Sequence, residues 1–269
     1  MDDWYLQSAH GVRFEWGPTG AERLAADAAC VVVVDVLSFT TAVTVAVEAG
    51  TRVFPYRWRD ETASTFADHV GADLAVGRRM ATAASPWSLS PAALRRAPFT
   101  PRLVLPSPNG SAIAASAGEL PVVAAALRNA TAVSHWLVRE GYGTTERPIA
   151  VIASGERWPD GSLRPAMEDL LGAGAVIAGL QDQLEAAQAQ AHAHAHADSP
   201  ARTLALSPEA SLAATAFRTT SDVAAAVAAS VSGRELVGGG FAEDVAVATE
   251  PDTCTAVPVL VDGAFSDRC

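Results

Sequence analysis

The chain contains no lysine, so all 19 of its cationic side chains are arginine. That absence removes a phosphate-loop lysine, a Schiff-base lysine and a Ser-Lys dyad from consideration. An anionic ligand must then be held by arginine, by backbone N–H groups or by a metal. Cysteine is scarce as well. Cys30, Cys254 and Cys269 are isolated, odd in number and without zinc-site spacing, which suits a reducing compartment. No uninterrupted apolar run reaches about 18 residues, so no transmembrane helix is expected. The opening MDDWYLQSAHG lacks the basic and apolar parts of a signal peptide, and a cytoplasmic location is expected. The formal net charge of −11 argues against nucleic acid or an anionic membrane as partner. G-x-S-x-G, H-E-x-x-H, G-x-G-x-x-G and C-x-x-C are all missing, which sets aside α/β-hydrolases, zincins and Rossmann dehydrogenases.

What is present is an alternation of β-branched apolar runs with alanine-rich helical patterns. It predicts an α/β fold of βα units around a largely parallel sheet, forming one domain across residues 1–269. Strands are expected at 30–35, 51–56, 74–76, 103–105, 122–126, 149–153, 245–248 and 257–261. Helices are expected at 61–70, 110–117, 130–140, 167–189, 208–217 and 221–232, with another starting after the hydroxyls of Ser38–Thr41. The Gly238–Gly240 cluster reads as a turn before the strand at Val245. Residues 78–101 form a long Ser/Pro/Ala-rich connection of the kind that carries function. The low-complexity stretch at about 185–199, with His192, His194 and His196 at alternate positions, reads as a surface helix extension. Residues two apart on a helix point about 200° away from each other and share no site.

Asp35 ends the most apolar strand, CVVVV, where the carboxyl ends of parallel strands place ligands. There it can hold magnesium, attack a phosphoryl group, or cap the next helix. The turn Asn109-Gly110-Ser111 opens a helix and points N–H groups at whatever lies above it, although Asn-Gly is also a common turn. Glu168 and Asp169 stand in the first turn of a long helix, where the macrodipole favours acids in any case. Gly172 and Gly174 in that helix predict close approach of a neighbouring element. Asp244 is a further candidate ligand, and Asn129 is at least a helix N-cap.

Taken in order, VVVVDVLSFTT (31–41), GRR (77–79), LSP (89–91), PNGS (108–111), RNATAV (128–133), MEDLLGAGA (167–175), EDVAVA (243–248) and VPVLVDG (257–263) resemble the 2-phosphosulfolactate phosphatase family over nearly the whole chain. The resemblance implies a three-layer α/β/α fold with a parallel or mixed sheet. It also implies magnesium dependence and hydrolysis of a phosphate ester on a 2-hydroxy acid, giving 3-sulfolactate on the route to coenzyme M. By position Asp35, Asn109, Asn129, Glu168 and Asp169 fall on the family's motifs; Asp35, Glu168 and Asp169 are the expected catalytic residues and, with Asp244 as read above, the expected metal ligands. Arg79, Asn109, Gly110, Ser111, Asn129 and Ser38 become contacts to a small anionic phosphorylated substrate. Three positions depart from the family's pattern: Ser38 stands where arginine is usual, Arg78 where glutamate is usual, and Leu89 where asparagine is usual. Whether an acid attacks phosphorus or activates water stays open. So do a non-catalytic phosphometabolite-binding role and a related magnesium phosphohydrolase acting on phosphoglycolate-like or nucleotide substrates. The smooth alanine-rich helix faces suit a homodimer.

Overall fold

The computed structural model describes residues 3–57, 60–118, 120–193 and 204–269. Its strands are β1 (Val12–Trp16), β2 (Cys30–Val34), β3 (Arg52–Tyr56), β4 (Asp73–Leu74), β5 (Arg102–Pro106), β6 (Val122–Ala125), β7 (Ile149–Ala153), β8 (Glu156–Arg157), β9 (Leu163–Arg164), β10 (Pro258–Val261) and β11 (Ala264–Asp267). Between them lie α1 (Gly17–Ala25), α2 (Phe39–Glu48), α3 (Thr62–Val70), α4 (Pro91–Arg96), α5 (Gly110–Ser116), α6 (Ala130–Arg139), α7 (Met167–Ala193), α8 (Pro208–Thr219), α9 (Val223–Ala229), α10 (Val231–Gly238) and α11 (Ala242–Ala248). Nine strands form one mixed sheet in the order β1-β7-β2-β6-β10-β11-β3-β5-β4. The blocks β1-β7-β2-β6 and β3-β5-β4 are each parallel inside, and the antiparallel hairpin β10-β11 joins them.

That hairpin follows from its turn. Asp262 and Gly263 both take positive φ, 51° and 76°, as a two-residue loop matched to strand twist requires. The central strand β2 shows why the fold has three layers. Val31 and Val33 face a core built with α1, α2 and α5, while Val32 and Val34 face a second core built with α6, α7 and α8. All four are fully buried, as a continuous apolar run needs to be. The glycines of α7 do make the close approaches expected of them. A Cβ on Gly174 would lie 2.2 Å from the Ala213 carbonyl oxygen of α8, and one on Gly172 would lie 2.7 Å from Val36.

Several expectations need correction. Residues 245–248 are not a strand but belong to α11. The V-A-V-A alternation misleads, because Asp244, Val245, Val247 and Ala248 are the buried set, the i, i+1, i+3, i+4 spacing of a helix. The turn at Gly238–Gly240 therefore leads into a helix. The helix expected at 221–232 is two helices, broken where Ser230 turns extended and its hydroxyl caps α10 by accepting from Gly233 N at 3.0 Å. The edge strand β1 and helix α1 were not foreseen at all. The long connection holds α4, started by Ser90 as N-cap and Pro91 at its first position. Helix α7 runs to Ala193, and the His192–His196 pattern falls outside the described side chains. Among the described residues no helix is long and apolar enough to cross a membrane.

Candidate active site

The acids meet at the carboxyl ends of β2 and β7. Asp35 leaves β2 and caps two helices at once: Oδ1 accepts from Phe39 N of α2, and Oδ2 from Gly110 N of α5, each at 3.0 Å. Asp169, in the first turn of α7, joins the two strand ends. Its Oδ1 accepts from Val36 N at 2.7 Å and its Oδ2 from Gly155 N at 2.9 Å. Glu168 is buried beside them, and its Oε2 has no hydrogen-bond partner. A fourth acid, Glu156, begins β8 just past β7 and accepts from Asn109 Nδ2 at 3.1 Å.

This crowding shifts their titration. Burial raises the Asp35 carboxyl and outweighs the N–H groups of Phe39 and Gly110 and the charge of Arg78, while Glu168 pushes the same way as burial. Asp169 is raised well above the usual aspartate range by burial, then by Asp35 and Glu168. Burial, followed by repulsion from Asp35 and Glu168, pushes Glu156 up to about 7, against the pull of Arg164 and Asn109. The unpartnered oxygen of Glu168 and the mutual repulsion make this a set of hard oxygen donors short of positive charge. Among the described residues no group of three or more His, Cys, Asp or Glu is placed to hold a metal ion as a protein-only site. Magnesium seldom uses one: a carboxylate or two, with water and substrate phosphate, completes its shell.

Two clefts open on either side of Glu156. One, of about 310 Å³, is lined by Asn109, Ser154, Arg157 and Arg57. The other, of about 220 Å³, is lined by Arg78, Arg79, Ser232, Leu236 and Phe241. Arg78 is locked in place: Nε donates to Asp244 Oδ2 at 2.9 Å, Nη2 to Ser38 Oγ at 2.5 Å, and its guanidinium lies 5.8 Å from the Phe241 ring centre. Two of the positions that depart from the family's pattern thus touch each other.

Not every expected residue faces this site. Asp244 is committed elsewhere, because its other oxygen accepts from Ser90 Oγ and Ala92 N. Its carboxylate braces Arg78 and α4 instead of waiting for a metal. Asn129 is fully buried and spends its amide on Ala126 N, Ala124 O and Ala256 O, so it is a brace and not a substrate contact. The Asn109–Ser111 turn is not an empty anion cradle either. Gly110 N is taken by Asp35, the Asn109 amide by Glu156, and Ser111 is buried with its hydroxyl toward Leu105 O. Ser38 meets Arg78 and not open solvent. Glu156 and Ser232 were missed, although Glu156 follows β7 as Asp35 follows β2 and was open to the same argument.

Carboxylates gathered at the carboxyl ends of parallel strands, with arginine in the clefts beside them, stand where α/β enzymes place their active sites. The chain belongs to the 2-phosphosulpholactate phosphatase family, whose model matches residues 19–263. That family consists of phosphatases, hydrolases of phosphoric monoesters. No curated protein matches the chain.

Proposed function

We propose that this protein is a magnesium-dependent phosphatase acting on the phosphate ester of a small 2-hydroxy acid, with 2-phosphosulfolactate as substrate and 3-sulfolactate as product. The observation that carries this reading is the buried Glu168 carboxylate with an unpartnered oxygen, set among Asp35 and Asp169. Glu168 and Asp35 would hold the ion, which would supply charge neutralisation on the phosphoryl oxygens.

The chain's own groups divide the remaining work. Asp35 and Asp169 are fixed by two N–H bonds each, so their oxygens need no reorganisation during the reaction. Phosphoryl transfer goes through a loose transition state in which water gains little bond to phosphorus, so a strong base is not required. The departing alkoxide does require a proton. Glu156 lines both clefts, and burial first and then its acidic neighbours push its carboxyl up to about 7, so it is the group placed to give that proton to the ester oxygen as the P–O bond breaks. The clefts, of about 310 and 220 Å³, lie at or below the ~300–1,000 Å³ of drug-sized pockets, which favours a few-carbon acid over a nucleotide.

A phosphate-release assay over small phospho-acids, with magnesium or with EDTA, tests the reading. Turnover of 2-phosphosulfolactate that EDTA abolishes and magnesium restores is expected. Absence of magnesium-dependent release from every ester would sink it.

A further inference from the structure

The smaller cleft has a built wall that the reaction just described leaves without a task. Helix α10 turns Ser232, Glu235, Leu236 and Gly239 toward it, the i, i+3, i+4, i+7 face of one helix. Ser232 is 4 % exposed, and its hydroxyl has no hydrogen-bond partner. A buried hydroxyl without a partner costs stability, and the cleft it lines is where a partner could come from.

The charges around it point to the kind of partner. Arg78 is neutralised by Asp244, and Glu235 by Arg164 at 3.1 Å. Arg79 lines the same cleft, is exposed, and has no hydrogen bond or ion pair with any described residue. The cleft therefore offers one uncompensated guanidinium and one buried hydroxyl donor. That pair suits the oxygens of a singly charged group. Leu236 and Phe241 supply an apolar flank that fits a short carbon chain.

We propose that Ser232 and Arg79 form the subsite for the second oxyanion of the substrate, the carboxylate or sulfonate that the phosphoryl group does not carry. This rests on the phosphatase reading and deepens it. Glu156, whose neighbours include Asp35 and Glu168, lines this cleft together with Ser232 and Arg79, so a three-carbon acid with its phosphoryl end at the acid cluster could place its other anionic end against α10.

The test compares wild type, Ser232→Ala and Arg79→Gln on three esters of one size. These are 2-phosphosulfolactate, 2-phospholactate, which lacks the sulfonate, and isopropyl phosphate, which lacks both acids. A hydrogen bond to a charged group is large enough that Ser232→Ala should shrink a kcat/KM preference about tenfold, chiefly through KM. Loss of the preference for 2-phosphosulfolactate over 2-phospholactate assigns the subsite to sulfonate. Loss of the preference for 2-phospholactate over isopropyl phosphate assigns it to carboxylate. An equal fall on all three esters, or no change in either ratio, overturns the proposal. A merely structural Ser232 would lower the unfolding temperature when truncated, whereas removal of an unpartnered hydroxyl should leave it level or raised. If the wild type hydrolyses nothing, the phosphatase reading fails by itself. Titration calorimetry with 3-sulfolactate and lactate then decides the subsite, since binding weakened about tenfold by Ser232→Ala supports it, and unaltered or undetectable wild-type binding overturns it.

Discussion

Arg78 reaches across 40 residues of sequence to donate from Nη2 to the hydroxyl of Ser38 at 2.5 Å. Both positions differ from the pattern that the family resemblance implies, and in this chain they meet. The guanidinium absent at position 38 is supplied beside it from position 78. A glutamate at 78 would have faced Asp244, whereas arginine there finds Asp244 as its counter-ion. The pair therefore keeps a cation at the mouth of the acid cluster, where its charge acts on Asp35.

The first prediction concerns that cation. Asp244 is 1 % exposed and Arg78 17 %, so the pair is largely shielded from water. Arg78→Ala should destabilise the protein by about 3 kcal/mol, the lower end for a buried charge losing its partner, because Ser90 and Ala92 still bond Asp244. Urea unfolding of Arg78→Ala, Asp244→Ala and the double variant would give the coupling. A coupling near zero would show that the pair contributes nothing.

Glu156 should set the alkaline limb of the rate profile. With its carboxyl pushed up to about 7, the group is protonated below that pH and able to donate; above it the proton is gone. Hence kcat should fall as pH rises, with a midpoint at or below about 7, because a bound cation relieves the repulsion from Asp35 and Glu168. Glu156→Gln should lower kcat by ~10²–10⁴-fold and flatten that limb. A limb that survives the substitution belongs to another group.

Stability should depend on pH in the opposite sense to that of a salt-bridged acid. Asp35 and Asp169 have folded values raised above their unfolded ones, so their contribution is fully present below about pH 4 and is lost as pH rises through the folded values. Added magnesium should offset that loss by binding the folded, ionised cluster. Thermal unfolding is therefore expected to show a larger magnesium-induced rise at pH 8 than at pH 5. Equal rises at both pH values would separate the ion from these carboxylates.

Much of this was legible in the sequence because the signals are local. CVVVV can only be a strand buried on both faces, and Asp35 at its end and Glu168-Asp169 at a helix start fall where a parallel sheet gathers ligands. Those three acids do meet. What the sequence hid depends on contacts between distant segments. The side chains of Asn129 and Asp244 and the backbone N–H of Gly110 are consumed by partners that include residues far along the chain, so residue type alone reads them as available. In α11, alternation over four residues mimics a strand, and only the burial of Asp244 reveals the helix. Ser232 carries no signature at all, because its interest lies in the absence of a partner.

Gly110 links fold and site most tightly, and its replacement is the sharpest stability-with-activity test. A Cβ there would lie 2.2 Å from Phe39 Cδ1 and 3.0 Å from Asp35 Oδ2. The Phe39 ring cannot swing away, because it is fully buried and packed edge-on to Phe265 at 6.2 Å between centroids. In Gly110→Ala the start of α5 must therefore shift, and with it the N–H that holds Asp35 Oδ2. Overpacking and a weakened bond to a buried carboxylate together should cost about 1–3 kcal/mol. Asp35 would lose one of the two bonds that fix it, so kcat should drop at least tenfold even at temperatures where the variant stays folded. Gly238→Ala is the control, because its Cβ meets nothing within 4 Å and it ends a helix, where alanine gains up to ~1 kcal/mol over glycine. If Gly110→Ala keeps full activity, Asp35 does not need its second N–H, and its placement in the reaction would have to come from elsewhere.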